Sequence, residues 1–93
     1  LKLYSLTLPQ VEYYRTFCNF DEKEAALFEL RRQNIPLERC AETLLYDYGA
    51  IKKISSRVNK KIIDMTDSKK MNDWIEKVYW KNLIENSGND NIN

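Results

Sequence analysis

Between Leu37 and Ile62 the chain reads LERCAETLLYDYGAIKKISSRVNKKI, and its apolar residues recur at helical spacing in two runs with a short gap between them. Leu37, Cys40, Ala41 and Leu44 fall on one face of a short helix. Ile51, Ile54, Val58, Ile62 and Met65 do the same along a longer one, at steps of three, four, four and three. Each helix therefore carries one stripe to bury. Ala41, small and central in the first, lets the second cross it closely at a steep angle. Asp47 precedes the second run, where its carboxylate can accept from the free N–H groups of the first turn. The pattern predicts two helices joined by a tight turn over about residues 36–65.

The face of the second helix away from its stripe shows Tyr48, Lys52, Lys53, Ser55, Ser56, Arg57, Asn59, Lys60 and Lys61, with acids following only at Asp64 and Asp67. The net charge of +1 hides this bias. Residues 49–70 hold seven bases and two acids, whereas residues 21–48 hold four bases and seven acids. A cationic stripe confined to one helix is the electrostatic footprint of a group that contacts a phosphate backbone, and such binding is salt-sensitive. A lysine-rich face that is merely solvated is the plainer alternative.

Ninety-three residues suffice for one small domain with a single core. Two glycines and two prolines in a chain that is 43% hydrophobic point to an all-α fold, a bundle of about five helices. No apolar run reaches the length of a membrane span and no signal-peptide pattern opens the chain, so the expected setting is the cytoplasm. Cys18 and Cys40 occupy apolar helical positions, where free thiols act as small hydrophobes rather than as a disulfide or metal pair.

Leu1–Thr7 alternates apolar and polar residues with no partner strand in view, and is expected to form an extended arm. Pro9 suits the first turn of a helix whose apolar side is Leu8, Val11, Tyr14, Phe17 and Cys18. Asp21 with Glu24 forms a capping-box start for a helix to about Gln33, burying Ala25, Leu27, Phe28 and Leu30. Asn34, Ile35 and Pro36 end it. Thr66, Asp67 and Ser68 supply capping oxygens for a last helix striped by Met71, Trp74, Ile75, Val78 and Tyr79. Trp80 and Ile84 lie on its other side, to be covered by the N-terminal arm or by a partner. A single domain over 1–86 and a disordered tail over 87–93 complete the expected organisation.

From Phe20 to Ile62 the chain resembles region four of bacterial sigma factors and the related output domains of LuxR-type regulators. Phe20-Asp21-Glu22-Lys23-Glu24 looks like their Leu-Thr-x-Arg-Glu opening, followed by Leu27, Leu30 and Arg31 at matching positions. Cys40-Ala41 stands where they have Ile-Ala, Leu44 where they have Leu, Asp47 where they have a capping Ser or Thr, and Lys61-Ile62 where they close with Lys-Leu. The overall tone is that of small phage or prophage proteins of low-GC Gram-positive bacteria.

The resemblance implies a helix-turn-helix in which Tyr48, Lys52 and Lys53 face bases and Arg57, Lys60 and Lys61 lie near phosphates, with Ser56 able to donate or accept. Gly49 and Ala50 depart from it, falling where related helices carry polar readers. A complete sigma factor also needs a further domain that 93 residues cannot hold.

Two functions follow as expectations. The first is a transcription regulator that docks residues 48–65 in the major groove of double-stranded DNA, alone or as a homodimer. The second is a protein-interaction module that grips RNA polymerase or another host protein through Trp74, Tyr79, Trp80 and Ile84. No cofactor is expected. An enzyme is not expected either: histidine is missing, as are a glycine-rich phosphate loop and a defensible acidic pair. Glu22, Glu24, Glu38 and Glu42 are taken as solvent-facing acids near helix N-termini.

Overall fold

The structure is a computed structural model that describes the backbone of residues 2–91 and the side chains of residues 2–86. Its elements are a 3-10 turn (Leu3–Ser5), α1 (Leu8–Phe17), α2 (Glu22–Arg32), α3 (Leu37–Leu44), α4 (Tyr48–Met65), α5 (Ser68–Trp74), a π-helical turn (Ile75–Tyr79) and α6 (Trp80–Asn91). The fold is all-α, with no strand among the described residues. No helix among them is long and apolar enough to cross a membrane.

Local chemistry sets the helix starts. Asp21 accepts from the Glu24 amide while Glu24 accepts from the Asp21 amide, a complete capping box. Asp47 accepts from the Ala50 amide at 2.7 Å, and Asp67 from the Lys70 amide at 3.1 Å. Thr7 and Gln10 form a second capping box that spans Pro9, so Thr7 belongs to the helix start rather than to an arm.

The helix ends are built without glycine. Asn19, Asn34 and Leu45 take positive φ values of 54°, 64° and 62°, and each lies in one of the three turns linking α1 to α4. After α2 the Ile35 amide donates to the Leu30 carbonyl, and after α3 the Tyr46 amide donates to the Ala41 carbonyl, the six-residue closure of a Schellman end. Asparagine is the usual substitute for glycine there. Leu45 is not, and its side chain stands 90% exposed.

One core joins the elements. Leu27 and Phe28 of α2, Cys40 and Ala41 of α3 and Ile51, Ile54, Val58 and Ile62 of α4 are buried together, as the two stripes require. Against the far end of α4, α1 turns Tyr13 and Tyr14: Tyr13 Oη donates to the Met65 carbonyl, and Tyr14 Oη bonds Thr66 Oγ1 at 2.9 Å.

Four expectations need correction. The N-terminal residues form a 3-10 turn that packs Leu3 against α2, because an amphipathic segment with no partner strand gains more by burying its leucine than by staying extended. The apolar side of α1 is rotated: Tyr13 is buried while Leu8 and Phe17 are exposed, since both tyrosines find hydroxyl partners at the end of α4. Met65 is partly exposed at the helix end. Glu24 is not solvent-facing but fully enclosed, at 1% exposure.

The last helix is interrupted by the π turn, where the Trp80 amide donates to the Ile75 carbonyl five residues back. The extra residue shifts the stripe, so that Trp74, Ile75 and Tyr79 are half-buried and Val78 is exposed. The helix is traced to Asn91; the expected disordered tail falls on residues whose side chains, and at 92–93 whose backbone, lie outside the described part.

Candidate nucleic-acid interface

At about 100° per residue, the buried set Ile51, Ile54, Val58 and Ile62 fixes which arc of α4 points outward. Gly49, Lys52, Lys53, Ser56 and Lys60 fall on that arc, and all five are exposed. The helix packs on α1, α2 and α3 through its opposite side. Three lysines and a serine hydroxyl thus share one uncovered face over about two and a half turns, from Lys52 to Lys60, on a helix that begins directly after the three-residue turn Leu45–Asp47.

The seven residues expected to face DNA divide into three groups. Lys52, Lys53 and Ser56 stand outward, with the Lys52 ammonium 5.5 Å from the centre of the half-exposed Tyr48 ring, a cation–π arrangement that joins these two side chains at the helix start. Lys60 also stands outward, paired at 3.0 Å with Asp64 one turn on. Both partners of that pair are largely solvent-exposed, so it is weak and readily exchanged for another anion.

Arg57 and Lys61 form the third group, turned to the side of α4 where α2 begins. Lys61 Nζ donates to Glu24 Oε1 and, at 3.0 Å, to the Asn19 carbonyl. Arg57 Nε donates to Glu24 Oε2 at 3.2 Å. Lys61 is therefore occupied inside the chain. Arg57 keeps half of its side chain in solvent.

Burial alone would push the Glu24 carboxyl up, but hydrogen bonds from Lys61, from the Asp21 amide and from Arg57 outweigh it and hold the group below its ordinary value. Its charge survives in the core because two cations and a backbone N–H complete it, and no buried side-chain polar atom among the described residues lacks a partner. Sequence reasoning missed this residue. A signal was present: Glu24, Leu27 and Phe28 follow the i, i+3, i+4 spacing of one helical face, so a glutamate on that face points into the core.

Both thiols are free and buried. Burial raises Cys18 to about 11, and Cys40 is raised for the same reason.

The four residues expected to grip a protein partner also separate. Trp74 is half-buried in an aromatic cluster, edge-on to Tyr13 at 5.8 Å and to Phe17 at 5.6 Å, and so joins the last helix to α1. Tyr79 lies partly buried between Trp74 and Trp80. Trp80 and Ile84 are exposed, Ile84 at 67%. A shallow groove of about 430 Å³ runs between α1 and α6, lined by Glu12, Thr16, Trp74, Tyr79 and Leu83 among others.

No group of three metal-ligating side chains converges among the described residues. No family model, no curated protein and no solved structure matches the chain.

Proposed function

We propose that this chain is a DNA-binding protein of the helix-turn-helix kind, acting in the cytoplasm as a transcription regulator, which lays the outward face of α4 in the major groove. The observation that carries the proposal is the uncovered arc of Lys52, Lys53, Ser56 and Lys60, held outward by the burial of Ile51, Ile54, Val58 and Ile62. An α-helix fits the major groove, lysine donates to guanine O6 and N7, and a hydroxyl serves either donor or acceptor bases.

The proposal includes the resemblance to sigma region four and LuxR-type domains, whose opening and closing segments meet in this fold. Glu24 of the opening motif and Lys61 of the closing motif, far apart in sequence, meet as an ion pair.

A gel shift with duplex DNA at two salt concentrations tests the proposal. Binding should weaken with salt with a logarithmic slope of roughly −3 to −4, the value for about four neutralised phosphates. The double variant Lys52→Ala, Lys53→Ala should lose about tenfold or more in affinity with its helicity and melting unchanged. Full affinity in that variant rules out docking through this face.

A second reading is favoured by the exposed Trp80 and Ile84: a protein-interaction surface on the last helix, with RNA polymerase or a second copy as partner. It predicts that Trp80→Ala, Ile84→Ala abolishes capture of such a partner while leaving DNA affinity intact.

A further inference from the structure

Glu24 is a buried carboxylate that neither the stripe pattern nor the outward lysines require, and the cluster around it carries an uneven charge. Its one negative charge faces two cations. Lys61 is tied down twice, to Glu24 and to the Asn19 carbonyl. The surplus positive charge therefore resides on Arg57, whose side chain is 51% exposed.

The geometry at Arg57 is directional. Its Nε donates to Glu24 Oε2, and among the described residues neither Nη atom makes a hydrogen bond. A guanidinium is a rigid planar fork, so pinning one nitrogen fixes where the others point. Arg57 also lies one turn from Lys53 on one side and from Lys60 on the other, which sets the three cations in a row along the flank of the outward face. Arg57 itself lines a concavity together with Asp21, Glu22 and Lys23. Within it Asp21 and Glu22 disfavour an anion and Lys23 opposes them, whereas along the helix both neighbours of Arg57, Lys53 and Lys60, favour one.

We infer that Glu24 is a positioning residue for a DNA phosphate: it holds Arg57 by Nε and presents the Nη edge of the guanidinium to the backbone beside the groove. This rests on the DNA-binding reading above. It makes Arg57 a preorganised contact, with rotamer freedom removed before DNA arrives, in contrast to Lys53 and Lys60, which lose theirs on binding.

The test is a double-mutant cycle read on DNA affinity, salt slope and the Arg57 Nε–H resonance of the DNA-free protein. Arg57→Ala should weaken binding about five- to tenfold and reduce the salt slope by about one. Glu24→Gln should weaken binding by a similar factor without itself touching DNA and should release the protected Nε–H signal. The double variant should be no weaker than Arg57→Ala alone. Arg57→Lys, which keeps the charge at a half-exposed site and leaves the fold intact, should recover little of the loss because an ammonium cannot serve carboxylate and phosphate as a fork.

Losses that multiply across the cycle, or wild-type affinity in Glu24→Gln or Arg57→Lys, overturn the inference while the DNA reading stands. A wild-type chain that binds no duplex, with its Arg57 Nε–H still protected, overturns both and leaves the ion pair as a purely structural one.

Discussion

The unit α2–α3–α4 and the segment that follows Met65 are both helical, yet they are held in different ways. In the first, α2 and α4 start on side-chain caps, α2 and α3 end on left-handed residues, and the apolar stripes close on one another around Phe28 and Ile51. In the second, Met71 is the one buried side chain that the described residues of the segment supply, a π turn breaks the register, and α6 leaves Trp80, Leu83 and Ile84 in solvent. A helix such as α4, buried from Ile51 to Ile62 along one side, has a fixed azimuth, so its opposite face is equally fixed. A helix anchored only at its first turns has no such constraint, and its exposed face is set by whatever covers it.

The largest effect that separates the two regions is truncation of a core aromatic. Phe28→Ala, at a site with no solvent exposure and a ring contact to Phe20 at 5.0 Å, should lower stability by about 3–5 kcal/mol in chemical denaturation. Trp80→Ala should change it by less than about 0.5 kcal/mol. A large loss at Trp80 would mean that α6 packs on something in solution, and the contrast would fail.

Acid should loosen the first region next. The Arg15 hydrogen bond, reinforced by Arg32, lowers Glu29 from 4.5 to about 2 against the opposing effect of burial, and Glu24 is lowered as well. Both folded-state values lie below the unfolded ones, so the stabilisation is fully present above about pH 4.5 and is lost as pH falls toward 2. Melting curves followed over that window should show a steady decline, and Glu29→Gln together with Glu24→Gln should flatten it. An unchanged slope in the double variant would place the acid sensitivity elsewhere.

Smaller in size is the turn between α3 and α4. Leu45 holds a left-handed conformation with a side chain that touches almost nothing, so Leu45→Gly should raise stability by about 0.5–1 kcal/mol. A loss would show that the leucine contributes a contact worth more than the backbone strain.

Smallest of all, Gly49→Ala should shift stability by less than about 0.5 kcal/mol. A Cβ there meets only the Asp47 carboxylate, at 3.3 Å, and that strain offsets the gain in helix propensity. If α4 enters the groove, the same change should still weaken DNA binding severalfold, because Gly49 lies on the outward arc. Unaltered affinity would set the docked surface further along the helix.

Much of the fold is legible in the sequence. The apolar spacings of α3 and α4, the caps at Asp21, Asp47 and Asp67 and the break at Pro36 are local features, decided by residues within one or two turns of each other. The candidate face followed from the same periodicity, because whatever is not on the stripe must lie outside it. The orientation of α1 was not legible, since choosing Tyr13 over Phe17 depends on hydroxyl partners 52 residues away at the end of α4. The position of the π turn was likewise hidden, since its extra residue answers to packing against α1.

The sequence by itself determined that a cationic arc faces away from a closed apolar stripe, because helical periodicity ties the two together within a single segment. Only the tertiary structure decided that Arg57 and Lys61 are not equivalent to the lysines beside them. Their difference lies in Glu24, more than thirty residues upstream, whose enclosure makes pairing obligatory: a carboxylate cut off from water must find its cations wherever the packed helices bring them.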